Sequence, residues 1–506
     1  MNGRRFAGLL LAALVVVGIV GSVSAQDASD TSIALNGDSI AVDGDGAEVA
    51  GNIVTITAAG TYSLSGTLAD GQVVVDTEDG GLVTLVLNGV DISSSTSAPV
   101  FVDNAETVTI TLAQGTRNTL TDGATYVTDE EEPNAALFSN ADLTIDGSGS
   151  LTVTANYNDA ISSDDSLTVS GTPTLTISAA DDGMRGKDAL TISGGTFTIA
   201  AQGDALKSDN TEASVITIDG GTFTLVAGDD GIQSDLDLTV NAGTFEITAV
   251  GDGMHAEYNL TINNGSIDIL NSEEGIEAGY ITFNGGSVDI VSSDDAINVS
   301  IPDDDTTPAA AAGGPPGRGS FDATANPYYL HINGGVIVVS AEGDGLDSNG
   351  SIEMTGGLVI VNGPIGNGNG ALDYDGLFNI SGGVLIAAGS AGMPQAPSDT
   401  STQNSVLINL DSALTAGTLL NIQSSQGDNL LTVAPTKAYQ SILFSSPELA
   451  TGVTYTIDYG GSSDGTATAG LYADGSYTSS VVYNSFTVSS AVTQLGNVGF
   501  GGRPMR

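Results

Sequence analysis

The sequence predicts an all-β fold, a parallel β-helix of about 22 residues per coil with a C-terminal β cap. Three observations carry that expectation. An acidic residue, then Gly or Ala, then a hydrophobe recurs at Asp159, Asp182, Asp204, Asp230, Asp252, Glu274, Asp295 and Asp344, with spacings of 23, 22, 26, 22, 22, 21 and 49 residues. A polar residue ahead of a Gly-containing pair keeps the same rhythm at Ser193, Asp219, Asn241, Asn263, Asn284 and Asn333. Between these markers apolar and polar residues alternate with period two, the strand signature.

Residues 1–25 read as a secretory signal, with Arg4 and Arg5 ahead of the apolar run Phe6–Val20 and small residues at Val23-Ser24-Ala25. Residues 26–135 read as irregular first coils, with strand-like stretches at Val73–Val75, Val83–Leu87 and Thr107–Leu112 but no acidic marker. An acidic loop follows at Thr121–Asn134. The regular helix spans 136–392. Its 49-residue gap holds a Pro/Gly/Ala-rich stretch, 301–327; those 27 residues removed, the spacing returns to 22, so the stretch is a loop thrown out of an ordinary coil.

Within a coil, Leu190, Ile192, Phe197 and Ile199 point inward and the threonines outward. Phe197, Phe223 and Phe245 occupy one core position in three coils, and the Ser193-to-Asn333 row is a corner ladder that bonds coil to coil. Residues 393–506 change to longer strands, at Val406–Leu410, Leu430–Val433, Ser441–Phe444, Thr454–Asp458 and Val481–Val488. A cap is needed there because an open solenoid end invites edge pairing.

Composition excludes several functions. The 506 residues carry 61 Asp plus Glu against 10 Lys plus Arg, a net charge of −51, which repels nucleic acid and anionic lipid. The chain has no Cys, hence no disulfide, thiolate zinc site or Cys nucleophile. Two histidines, His255 and His331, cannot furnish a His-rich metal site, and no phosphate loop or nucleophile elbow is present.

Stacking the coils piles the eight marker acids above one another. At a coil spacing of about 4.8 Å each adjacent pair repels by about 0.9 kcal/mol in bulk water and about 3.5 kcal/mol at an effective dielectric of 20. Over seven pairs that reaches roughly 6 to 24 kcal/mol, the size of a domain's stability. Only Arg185, Lys187 and Lys207 lie near the pile, too few protein cations to neutralise it. Calcium, which takes six to eight oxygen ligands, is therefore the expected cofactor. Its expected ligands are Asp181, Asp182, Asp204, Asp229, Asp230, Asp252, Glu273, Glu274, Asp294 and Asp295, with Gly203, Gly251 and Gly343 replacing the first acid of the pair in other coils. Asp164, Asp209, Asp235 and Glu257 form a second acidic position five residues after the marker.

The row three residues after the marker is the most varied: Ser162, Arg185, Lys207, Gln233, His255, Glu277, Asn298 and Asp347. Its basic members, Arg185, Lys207 and His255, either grip an acidic sugar beside calcium or neutralise neighbouring acids.

The run Asn88-Gly-Val-Asp-Ile-Ser-Ser-Ser-Thr-Ser-Ala-Pro-Val100, the run Gly115–Gly123, the Asp-Gly-Ile/Gly-Gly repeats and Ser445-Ser-Pro-Glu-Leu-Ala-Thr-Gly-Val-Thr-Tyr-Thr456 resemble the secreted carbohydrate-binding β-helix family of clostridial type, itself similar in fold to pectate lyases. The resemblance implies a right-handed helix with bound calcium that binds cellulose or acidic pectin chains. The expected function is non-catalytic, calcium-dependent binding of an acidic or cellulosic polysaccharide outside the cell, with no nucleic-acid partner and no membrane association after signal cleavage. The alternative is a polysaccharide lyase, in which Lys207 or Arg185 removes a uronate α-proton acidified by calcium. An ice-binding or adhesive role, suggested by the outward Thr168, Thr191, Thr217, Thr239, Thr261 and Thr282, is opposed by a partner row that turns into Glu246, Asp268 and Asp289.

Overall fold

A computed structural model describes residues 31–127, 132–300 and 327–496. The expected signal and nearly all of the expected loop at 301–327 lie outside the described residues, as does part of the acidic loop. Among the described residues there is no helix, and one sheet of 41 strands winds through a parallel β-solenoid of about 12 turns. The coil after Asp182 shows the unit: strands Met184–Gly186, Ala189–Ile192 and Thr196–Ala200, one on each of three faces. Each pairs in parallel with its counterpart one coil on, Leu206–Ser208, Val215–Ile218 and Thr222–Val226.

Gly221 sits at the sharp corner between the second and third strands of its coil with φ of 122°, a backbone state open to glycine at little cost. Leu190, Ile192, Phe197 and Ile199 are buried, as the alternation requires. The phenylalanine stack forms, with ring centroids 4.7 Å apart for Phe197–Phe223 and 4.6 Å for Phe223–Phe245, and ring planes nearly parallel at 5° and 3°. The coil repeat imposes that face-to-face arrangement. The corner ladder also forms: Asn241, Asn263, Asn284 and Asn333 each donate a side-chain amide to the residue one coil below, Asp219, Asn241, Asn263 and Asn284, at 2.7–2.9 Å. Each amide thus both accepts and donates along the axis.

Parallel pairing runs through residue 135 without interruption. It begins where Thr31–Gly37 pairs with Gly60–Leu68, and later strands follow in parallel columns, while Ile40–Asp43 and Ala47–Ala50 make antiparallel hairpins with Thr31–Gly37 and Ile53–Ile56. The missing acidic marker hid this period in the sequence.

The threonine rows form on two faces, and the partner row turns acidic as expected. Thr61, Thr84, Thr109, Thr144, Thr168, Thr191, Thr217, Thr239, Thr261 and Thr282 stand in register on the second face. Glu246, Asp268 and Asp289 continue a different row, Thr176–Thr198–Thr224, on the third face. What breaks the second face is Asp142 and Asp237 beside the row and His331 and Glu353 at its end.

On the third face the outward row then becomes Val338, Ile360 and Ile386. The C-terminal segment covers it. Tyr439–Ser445 pairs antiparallel with the last solenoid strand, Val384–Gly389, and Ser405–Leu414 pairs with Tyr439–Ser445 in turn. Ile360 and Ile386 join a second core with Val406, Ile408, Leu420, Ile442, Phe444 and Ile457. Antiparallel closure ends the coil-on-coil ladder and removes an exposed edge.

Truncating the middle ring of the stack, Phe223→Ala, is expected to destabilise the protein by about 3–5 kcal/mol. Chemical denaturation read by circular dichroism checks this; a loss below about 1 kcal/mol contradicts the tight stack.

Candidate functional site

The marker acids lie where the third strand of one coil turns into the first strand of the next. There six marker aspartates each accept a hydrogen bond from the backbone N–H of the marker one coil on. Asp182, Asp204, Asp230, Asp252 and Glu274 donate in this way to Oδ1 of Asp159, Asp182, Asp204, Asp230 and Asp252, at 3.2, 2.8, 2.8, 2.7 and 3.1 Å. Asp344 donates to Asp295 at 2.5 Å, and Gly370 to Asp344. Charge-assisted bonds of this kind stabilise the ionised form. The pile is therefore not bare: one oxygen of each of these aspartates is satisfied by the backbone, and the second is left for other partners.

Protein cations supply some of those partners, in line with the reading in which they neutralise neighbouring acids. Lys207 Nζ sits 2.8 Å from Asp204 Oδ2 and 3.1 Å from Asp182 Oδ2, filling that gap. Arg185 is held by Asp209 at 2.9 Å and by Asp164 and Ser162 at 3.2 Å. The second acidic position is thus in part a clamp for Arg185. His255 Nδ1 lies 3.4 Å from Asp230 Oδ2. All three residues expected to grip a glycan are engaged with acids of the site.

Their chemistry follows. Burial pulls the pKa of Lys207 down, but Asp182 and Asp204 outweigh it and hold the ammonium above the ordinary lysine value. Arg185 is likewise raised, Asp209 overcoming its desolvation. Groups held this firmly protonated are poor general bases, so neither suits proton abstraction. Burial also lowers the pKa of His255, yet its bond to Asp230 and the surrounding charge carry it upward, toward imidazolium.

Farther along the corner the ligand atoms are all oxygen. Carboxylate oxygens of Asp252, Glu274 and Glu277 lie within 4.8 Å of one another, as do those of Asp295, Asp344 and Asp347. Similar groupings unite Asp159 with Asp181 and Asp182, Asp204 with Asp229 and Asp230, and Asp230 with Asp252 and His255. Among the described residues no Lys or Arg pairs with any acid of the first two clusters. Eight of the ten expected ligands fall in clusters; Glu273 and Asp294 are exposed and do not. Asp159, Glu277, Asp344 and Asp347 were not expected as ligands. Glu277 and Asp347 belong to the varied row, and their spacing of three after a marker acid was the available signal.

The alternating glycines have a steric cause. A Cβ on Gly203 would meet Asp181 Oδ1 and Asp182 Oδ1 at 2.5 Å, one on Gly251 would meet Asp230 Oδ1 at 2.4 Å, and one on Gly343 Asp295 Oδ1 at 2.4 Å. Gly at these three positions leaves room for the doubled acid of the preceding coil, although Asp294 follows Glu273 directly one coil on. Flexible carboxylates converging on a small cradle fit a hard divalent cation such as calcium.

Burial makes several acids of the corner harder to ionise than ordinary carboxylates. Burial, then the Asp182 charge, pushes Asp159 up to about 7. Burial followed by Asp295 and Asp373 brings Asp347 to about 7, and burial brings Asp344 and Asp204 each to about 6. Burial and mutual repulsion raise Asp252 and Glu274 as well.

Fold and corner define the class, a polyanionic parallel β-solenoid with one acid-lined edge. Residues 50–296 match the family described as carbohydrate-binding domain-containing protein, so the likeness read from the sequence holds over that span. A carbohydrate-binding domain-containing protein of Acetivibrio thermocellus is 37% identical over 159 residues, 29% of this chain and 56% of that protein, so the match spans little more than half of the relative's length. A solved structure, a gadolinium derivative of the polysaccharide lyase-like protein from C. thermocellum, is 36% identical and covers 46% of this chain and 96% of its own, with a TM-score of 0.45.

Raised carboxylate values fix a sign. A carboxyl whose folded pKa exceeds its unfolded value near 4 stabilises the fold at low pH and loses that contribution as pH climbs through the folded value. His255, also raised, loses its contribution in the same direction. In chelator, the melting temperature should fall as pH rises from about 4 to about 8. A calorimetric scan that rises across this range contradicts the buried ladder.

Proposed function

We propose that the protein is an exported, non-catalytic polysaccharide-binding protein that depends on calcium and takes acidic, pectin-like chains in preference to cellulosic ones. The observation that carries this reading is the pair of all-carboxylate clusters, Asp252–Glu274–Glu277 and Asp295–Asp344–Asp347, in a chain of net charge −51. The family match over residues 50–296 supports a glycan ligand.

Each cluster of three acids would hold an ion, which supplies the positive charge that lets a uronate carboxylate approach. Lys207, Arg185 and His255 neutralise the N-terminal part of the corner and so confine that need to its C-terminal part. The absence of Trp removes the usual stacking surface for neutral glycans and favours an acidic ligand. A long corner of repeating coils suits a long repeating chain.

Two measurements test this. Calcium at a hundred times its dissociation constant adds about 2.7 kcal/mol per site, so chelation should lower the melting temperature markedly, and an indifferent melt rejects the cation. Calorimetric titration with oligogalacturonides should give binding in calcium and none in chelator. Glu277→Gln combined with Asp252→Asn should weaken that binding at least tenfold. Equal affinity with and without calcium rejects the proposed dependence.

A further inference from the structure

Tyr157, 40% exposed, is the most exposed aromatic side chain among the described residues. The other aromatics of this Trp-free chain are buried or half-buried. Tyr157 stacks on Tyr126, with ring centroids 4.2 Å apart and planes 16° apart. That contact occupies one face of the Tyr157 ring.

The pair is rigidly held. The Tyr126 hydroxyl donates to Asp122 Oδ2 at 2.8 Å, with the Ala135 carbonyl at 3.1 Å. Asp122 is itself buried, and its Oδ1 accepts the backbone N–H of Asn156 at 2.5 Å. The Asn156 side chain returns a bond to the Asp122 carbonyl at 2.9 Å. One buried carboxylate thus fixes both the backing ring and the backbone that presents Tyr157. Val127, next to Tyr126, is 80% exposed and adds apolar surface close by.

The position matters as much as the rigidity. Tyr157 precedes the first marker acid, Asp159, by two residues. Backbone N–H groups of Ala180 and Asp181 bond the Asn158 carbonyl at 3.1 Å, which sets the Asp159–Asp181–Asp182 cluster one coil along. An aromatic plate therefore stands at the N-terminal end of the acid-lined corner. Nothing in the packing of the solenoid core requires an exposed ring there.

We propose that Tyr157, backed by Tyr126, is a stacking platform for one pyranose ring of the polysaccharide that lies along the corner. The inference rests on the proposed glycan function and adds a subsite to it. The apolar face of the sugar packs on the ring, and its neighbours along the chain run on over the carboxylate clusters. Tyr157 contributes contact area at little entropic cost because its partner has already ordered it. Asp122 and Tyr126 act as positioning residues.

The test is titration of the full protein in calcium with oligogalacturonides. Tyr157→Ala should weaken binding roughly three- to tenfold, the range expected for loss of one aromatic stacking contact. Tyr157→Phe should bind as the wild type does, and Tyr157→Leu, which keeps apolar bulk without a flat ring, should behave like the alanine variant. Melting temperatures of all three identify any variant that misfolds. If Tyr157→Ala and Tyr157→Leu bind as tightly as the wild type while Glu277→Gln loses affinity, the platform is overturned and the calcium-dependent reading stands. If the wild-type protein binds no oligogalacturonide, that reading fails and the platform falls with it.

Discussion

Parallel backbone pairing between successive coils places equivalent residues directly above one another at one strand spacing, and every other feature of this molecule answers to that constraint. For apolar residues the stacking is favourable, as in the Phe197–Phe223–Phe245 column. For amides it is better still, because Asn241, Asn263, Asn284 and Asn333 each have both a donor and an acceptor to offer the axis. For carboxylates it is adverse. They have only acceptors, and they carry like charge at short range.

The corner meets that difficulty in three ways along its length. Backbone N–H groups take one oxygen of most marker aspartates. Lys207, Arg185 and His255 stand against the acids of the earlier coils. In the later coils acid faces acid, and there burial and repulsion drive the carboxyls toward protonation or toward a shared cation. The gradient along the axis makes the corner directional. Its N-terminal part is compensated in part by the chain itself, with an aromatic plate at its start, and its C-terminal part depends more on what the medium supplies.

The ends of the solenoid obey the same logic. On the third face a solvent-facing row of Thr, Glu and Asp gives way to Val338, Ile360 and Ile386 where the C-terminal strands dock. Lys437 ties that cap to the solenoid through the Ala341 carbonyl and Glu342. The change from polar to apolar on an outward row was visible in the sequence, but its meaning depended on knowing which residues shared a face.

The period, the inward residues, the phenylalanine column and the amide ladder were legible in the sequence, because each follows from spacing and alternation along the chain. Apart from two antiparallel hairpins, residues 31–121 obey the same pairing, yet they lacked the acidic marker that made the period readable. The pile of acids was also legible. What spacing could not show was the direction of each carboxylate: that one oxygen is spent on the next coil's backbone, that Lys207 reaches two markers at once, or that Glu277 and Asp347 turn in to join Glu274 and Asp344 while Glu273 and Asp294 face solvent. The amino-acid sequence by itself determined which residues stack, since that depends only on the repeat length. The tertiary structure alone decided which of them touch, since contact depends on side-chain direction and on loops, such as the one bearing Tyr126, that arrive from distant positions in the chain.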